Sequence, residues 1–132
     1  MTHAFDHERL DVYQVAIKFV VAANDIVENL PRGRSHLADQ HQRASTSVPL
    51  NIAEGAGETS PKEKARFYRM ARRSGTECAA ILDICRELEL APELGETREL
   101  LVRVVSMLIK LGKSLECSGT GTGTGTGTLS AG

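Results

Sequence analysis

The chain has no tryptophan, and aromatic residues make up only 4% of its 132 residues. Sheet proteins draw much of their packing from aromatic and β-branched side chains, so a sandwich or barrel has little to be built from here. Cysteine is also scarce, with three residues and no Cys-x-x-Cys pair. That argues against a disulfide framework and fits a reducing compartment. No apolar run approaches the roughly 18 residues that a membrane span requires. The opening MTHAFDHERLDVY lacks the basic-then-apolar order of a secretory signal. A cytoplasmic protein without a membrane partner is the expectation. Charge of one sign is missing too: 16 Lys and Arg stand against 17 Asp and Glu, a net charge of -1. A nucleic-acid binder held by bulk charge is thereby excluded, although a local basic face is not.

What is present is helical periodicity in a chain of ordinary globular composition, 41% hydrophobic and 25% charged, with room for one domain. Four amphipathic stretches are separated by three breaks. The first covers residues 8–30, with a stripe of Leu10, Tyr13, Ile17, Val20, Val27 and Leu30 interrupted only by Asn24. Pro31 and Gly33 end it. The second covers residues 35–56, with Ser35 as its N-cap and Gly55 and Gly57 as its stop. The third opens on Ser60-Pro61-Lys62-Glu63, a cap hydroxyl, a proline at the first helical position and a carboxylate three residues on. Both ends of such a box satisfy backbone N–H groups that the helix cannot pair internally. Its buried stripe reads Phe67, Ala71, Ser74, Cys78, Ile81, Cys85, Leu88. After Leu90-Ala91-Pro92 a fourth helix, from 93 or 95 to 115, repeats the pattern with Leu101, Val104, Leu108, Leu111 and Leu115.

Helices of near-equal length with short connections predict an all-α, antiparallel up-down four-helix bundle over residues 1–117. Residues 118–132 are a different material. Their Gly-Thr repeats offer no apolar face, and they read as a disordered extension.

The most unusual segment runs from Gln42 to Gly55. Pro49 removes one N–H and crowds the carbonyl of Ser45, so a kink is expected, compensated by the hydroxyls of Ser45, Thr46 and Ser47. Leu37, Ala44, Val48 and Ile52 face one way on this helix. Gln40, Arg43, Ser47, Asn51 and Glu54 form a second stripe beside them. Polar side chains next to a core stripe either fix helix register through hydrogen bonds or present a site to a ligand or partner.

This segment closely resembles the matching part of the four-helix bundle proteins encoded in 23S rRNA intervening sequences, carried by Arg43, Ser47, Pro49, Asn51, Glu54 and Gly55. The same family includes accessory proteins of diversity-generating retroelements. Leu10-Asp11-Val12-Tyr13-Gln14 with Ala16 is similar to the family's first helix, and Phe67-Tyr68 with Ala71, Ser74 and Glu77 to its third. The resemblance covers about residues 5–115. Gln42 departs from it, standing where a second basic residue is common. The resemblance implies a bundle that assembles into a ring, typically a homopentamer, with no enzymatic activity. For the retroelement members it implies a basic surface that engages RNA and a reverse transcriptase.

Charge is distributed unevenly. Residues 1–75 carry 11 basic and 9 acidic side chains, and residues 76–132 carry 5 and 8. In the third helix Lys62, Arg66, Arg69 and Arg73 form a row opposite the Phe67 stripe, flanked by Lys64 and Arg72. Such a row could follow a phosphate backbone. It could equally be a solvated face, or meet the acidic stretch Glu87, Glu89, Glu93, Glu96 of a second copy.

No constellation points to catalysis or to a cofactor. His3 and His7 precede the firm start of the first helix and read as loose terminal residues, and His36 and His41 lie on different faces. Cys78 and Cys85 read as small core hydrophobes, too far apart along the axis to bond each other, and Cys117 as a free thiol. No convergent Glu and His ligands of the ExxH kind occur, so a bundle enzyme with a small-molecule substrate has no support. The expected role is therefore a non-catalytic, self-assembling scaffold or adaptor, in a ribonucleoprotein context. The alternative is a nucleic-acid-binding accessory protein of a retroelement reverse transcriptase. Self-assembly has its own warrant in the first helix, where Val12, Val15, Phe19, Val21 and Ile26 add apolar surface beyond what one core needs.

Overall fold

The computed structural model describes residues 5–119. A short 3-10 turn, Asp6–Arg9, leads into four helices: α1 (Asp11–Glu28), α2 (Ser35–Ala56), α3 (Pro61–Glu87) and α4 (Gly95–Gly119). No strand occurs among the described residues. Each helix packs against the next and α4 closes onto α1, with α2 and α3 sharing the most extensive contact. The architecture is the all-α four-helix bundle that the periodicity predicts. α4 runs on through Ser118 and Gly119, and the remainder of the segment expected to be disordered, 120–132, lies outside the described residues.

The core has two levels. Phe19, Ala23 and Ile26 of α1 meet Leu37, Ala44, Cys78, Ile81, Leu82, Cys85 and Leu101 in one. Val12, Val15 and Ala16 meet Val48, Ile52, Tyr68, Ala71, Val104 and Leu108 in the other. In α2, α3 and α4 the expected stripes are largely the buried ones, with Tyr68, Gly75 and Leu82 added in α3.

α1 differs. Its buried side is Val12, Val15, Ala16, Phe19, Ala23 and Ile26. Of the expected stripe, Ile17 is exposed and Leu10, Tyr13, Val20, Val27 and Leu30 are only half-buried. The polar residues Asp11, Gln14, Lys18, Asn24, Asp25 and Glu28 all share the exposed side, so the period does mark the inward face. The expected stripe followed the edge of that face, and Val12, Val15, Phe19 and Ile26, expected as surplus apolar surface, are its centre. The inward face carries the small residues Ala16 and Ala23, both fully buried, which let the neighbouring helices approach.

The helix ends bring further corrections. The chain enters α1 through the 3-10 turn, with Glu8 Oε1 accepting from the Phe5 N–H at 2.8 Å, so α1 begins at Asp11 rather than residue 8. His7 is not loose: it stacks on Phe5 at 5.9 Å and meets Tyr13 edge-on at 4.5 Å. His3 and the Cys117 side chain lie outside the described residues. Ser35 is the first residue of α2 rather than its cap; Arg34 holds the cap position without a side-chain bond. At α3 only half of the expected box forms. Ser60 Oγ accepts from the Glu63 N–H at 3.2 Å, while the Glu63 carboxylate pairs with Arg66 at 3.1 Å.

Leu88, expected in the buried stripe, is 49% exposed because the helix ends there. The Leu90 N–H donates to the Cys85 carbonyl at 2.8 Å and the Glu89 N–H to that of Arg86 at 3.1 Å. This is a Schellman closure, with Glu89 in the left-handed region at φ 54°. A side chain there costs about 1 kcal/mol. Glu89→Gly should therefore raise stability by about 0.5–1 kcal/mol in denaturant titrations at fixed protein concentration. A loss of stability would show that the glutamate makes a compensating contact.

Candidate functional site

The residues that make the 42–55 segment distinctive lie along the seam between α2 and α3. Ser47 Oγ meets Ser74 Oγ at 2.8 Å, joining the two helices. Asn51 Nδ2 donates to the Ser47 carbonyl and to Ser47 Oγ, both at 2.9 Å. This half-buried triad fixes the register of one helix on the other, the structural role expected of the polar stripe. The rest of that stripe is not drawn in. Gln40, Arg43 and Glu54 are exposed, and no hydrogen bond or ion pair holds their side chains among the described residues.

Pro49 is buried inside α2, which the helix assignment carries through without interruption. The hydroxyls upstream do not serve the Ser45 carbonyl that the proline leaves free. Ser45 Oγ donates to the Gln42 carbonyl at 3.2 Å, and Thr46 Oγ1 to those of Gln42 at 2.9 Å and Arg43 at 3.2 Å. They reinforce the preceding turn instead, as short hydroxyl side chains commonly do in helices.

Gly55 is not a stop signal. It is a buried helical residue at which an added Cβ would lie 2.7 Å from Tyr68 Cε1 and 3.1 Å from Phe67 Cβ. The glycine is what allows α3 to start this close to the end of α2. Lys64 then closes α2: its Nζ donates to the carbonyls of Gly55 at 3.3 Å and Ala56 at 3.0 Å, a cation at a helix C-terminus.

Lys64 is thereby removed from the basic row that it was expected to flank. Arg66 is partly engaged as well, paired with Glu63 and lying 4.5 Å over the Phe67 ring. Lys62, Arg69, Arg72 and Arg73 are exposed, and their side chains carry no hydrogen bond or ion pair among the described residues. No aromatic face is offered beside them, since Tyr68 is 4% exposed and Phe67 lies under Arg66. The acidic stretch from Glu87 to Glu96 is at the opposite end of α3, whose 27 residues make a rod about 40 Å long.

Sequence reasoning passed over His41. It is fully buried, and neither ring nitrogen has a hydrogen-bond partner. The available signal was its position, four residues beyond Leu37 and three before Ala44 on the core stripe. Burial lowers its pKa below the ordinary histidine value, so the neutral ring is the folded form. Cys78 and Cys85 are fully buried and free. Burial, with a secondary contribution from the Glu77 carboxylate, pushes the Cys78 thiol up to about 12. Burial raises Cys85 as well. Neither is a thiolate at neutral pH, which leaves both without nucleophilic or ligand character. No group of three His, Cys, Asp or Glu suited to a metal occurs among the described residues. No described helix is long and apolar enough to cross a membrane.

On the other side of the molecule a shallow groove of about 290 Å³ runs between α1 and α2, with Val20, Val21 and Val27 on one wall and Gln42 and Thr46 on the other. It is open to solvent and presents amides, hydroxyls and the single carboxylate of Asp25, without a titratable pair.

Four helices around an aliphatic and alanine core, with a polar seam locking the second to the third, define a four-helix bundle protein. The family model for the 23S rRNA-intervening sequence protein matches residues 8–110, most of the chain, and the protein belongs to that family. No curated protein matches the sequence.

Two outcomes follow from this geometry. Gly55→Ala should destabilise the fold by about 1–3 kcal/mol, because the Tyr68 ring is itself packed in the core and cannot move aside freely; an unchanged denaturation midpoint would refute the close approach. For His41, the unfolded ring titrates near 6.5 and the folded ring lower, so between those values the unfolded chain binds more protons. The stability His41 contributes is complete above about pH 6.5 and is lost as pH falls towards the folded value, with a slope of at most about 1.4 kcal/mol per pH unit. Unfolding curves at pH 7.5 and 5.5 should show that loss in the parent and a smaller one in His41→Leu. Equal losses would place the acid sensitivity elsewhere.

Proposed function

We propose that the protein is a non-catalytic, self-assembling bundle that acts as a scaffold or adaptor in the cytoplasm, within a ribonucleoprotein setting. The observation that carries the proposal is the exposure of two apolar side chains on the outer side of α1. Val21 is 61% exposed and Ile17 38%, on a helix whose opposite side is already committed to the core. A second copy gains about 25 cal/mol for each Å² of such surface it covers. A homopentameric ring is the assembly that the family resemblance favours. The burial of the protonated Cys78 and Cys85 thiols supports a non-catalytic role.

One observation favours a second reading, a nucleic-acid-binding accessory protein of a retroelement reverse transcriptase. Lys62, Arg69 and Arg73 are exposed and uncommitted on one face of α3, flanked by Arg72. With no aromatic platform for base stacking, this row suits a phosphate backbone and not single-strand recognition by stacking. Its distance from the acidic stretch of the same helix also weakens the alternative in which the two pair between side-by-side copies of the same orientation.

Sedimentation velocity at micromolar concentration should return a multiple of the 14.3 kDa chain mass. A monomer would refute self-assembly. Reversing Arg66, Arg69 and Arg73 to Glu should abolish a salt-sensitive gel shift with structured RNA while the helical spectrum is kept. No shift by the parent at low salt would retire the nucleic-acid reading.

A further inference from the structure

We infer that His41 is an acid-sensitive latch on the upper core level, the one that holds Phe19, Ala44, Cys78 and Cys85. On taking up a proton its ring leaves the core by the groove between α1 and α2. The segment 20–34 opens with it, and the Cys78 and Cys85 thiols become accessible while the lower level stays closed. The device does not rest on self-assembly or on the basic row.

His41 is expensive where it stands. It is fully enclosed between Leu37 and Ala44 on the core side of α2, and neither Nδ1 nor Nε2 has a hydrogen-bond partner. A neutral imidazole carries one donor and one acceptor, and folding forfeits both. An apolar side chain would fill the same place without that loss. A charged ring is worse accommodated still, since no carboxylate reaches it and burial alone sets its reluctance to protonate. The titratable groups sharing its level are the two thiols of α3, both protonated. The charges that adjoin this level in the chain are exposed: Lys18 and Asp25 of α1, Arg43 of α2, Glu77 and the Asp83–Arg86 pair of α3, and Glu99 of α4. His36, at the start of α2, is exposed as well.

The way out lies beside the ring. Gln42, its neighbour in the chain, and Ser45, one turn on, line the solvent-open groove of about 290 Å³, and Asn24 and Asp25 of α1 line it too. No hydrogen bond or ion pair holds the Asp25 carboxylate among the described residues, so it is free to take an imidazolium, with the Asn24 and Gln42 amides beside it. α1 is also the helix that can yield. Ser47, Ser74 and Lys64 tie α2 to α3. No side-chain hydrogen bond or ion pair ties α1 to another helix among the described residues, and its contact with α2 is less extensive than that of α3. An element held by packing alone opens at lower cost than the rest.

The test is the reactivity of the two buried thiols in the full chain carrying Cys117→Ser. Their rate with dithiodipyridine is measured at pH 7.5 and 5.5 and divided by that of free cysteine at the same pH, which cancels the ordinary loss of thiolate. The exposed ring titrates near 6.5 and the enclosed ring lower, so the open population should rise about tenfold between the two conditions. The helical spectrum should persist, and the rate at pH 5.5 should depend only weakly on urea, because a partial opening exposes less surface than unfolding. His41→Leu should show no rise, and His41→Met serves should the leucine variant lose helicity. Asp25→Asn should at least halve the rise. A parent rate that does not respond to pH overturns the inference, as does an equal rise in both His41 variants. A urea dependence as steep as that of global unfolding overturns the local opening, and an undiminished rise in Asp25→Asn overturns the exit through the groove.

Discussion

Where α2 ends and α3 begins, the two backbones come so near that a Cβ on Gly55 would press into the Tyr68 ring at 2.7 Å. That approach conditions much of the bundle. It seats Tyr68 in the lower core level with Val48, Ile52 and Ala71, and it brings the last carbonyls of α2 within reach of Lys64. Further along the same pair, Ser47, Ser74 and Asn51 exchange hydrogen bonds in a half-buried strip where an error of register would strand polar groups. The opposite side of α3 repeats the device at Gly75, where an added Cβ would lie 3.1 Å from Val105 Cγ2 of α4. Small residues set the spacing, and the larger side chains fill what remains.

With the core so fixed, the chemistry left on the outside is limited in kind. The Cys78 and Cys85 thiols and the His41 imidazole are inside and uncharged, and the polar seam is satisfied by its own members. What faces solvent on α1 and α3 is a mixture of polar and charged side chains with a few apolar ones among them, and a basic row at the start of α3. They are the basis of the association proposed above, and the chain itself belongs to the family of 23S rRNA-intervening sequence proteins. The same basic row illustrates how residue type underdetermines role: Lys64 closes a helix and Arg66 lies on a ring, while Lys62, Arg69 and Arg73 remain free.

Much of the fold was legible in the sequence. The number of helices, their breaks and the buried stripes of α2, α3 and α4 follow from apolar residues at three-and-four spacing between glycine and proline breaks, because a helix can bury only the side that its period aligns. The segment around Pro49 likewise announced the family, and Ser47 and Asn51 announced a register-fixing role. Other features depended on distances between segments remote in the chain. Gly55 reads as a stop in one dimension and is a contact point in three. His41 reads as a polar residue among others and is fully enclosed. In α1 the sequence places Asp11, Gln14, Lys18, Asn24, Asp25 and Glu28 on one side, the side left in solvent with Ile17 and Val21, and Val12, Val15, Ala16, Phe19, Ala23 and Ile26 on the other, the buried one. Periodicity encodes which residues share a side, whereas whether a residue is met by a neighbouring helix, as Gly55 is by Tyr68, is decided by how closely the helices approach.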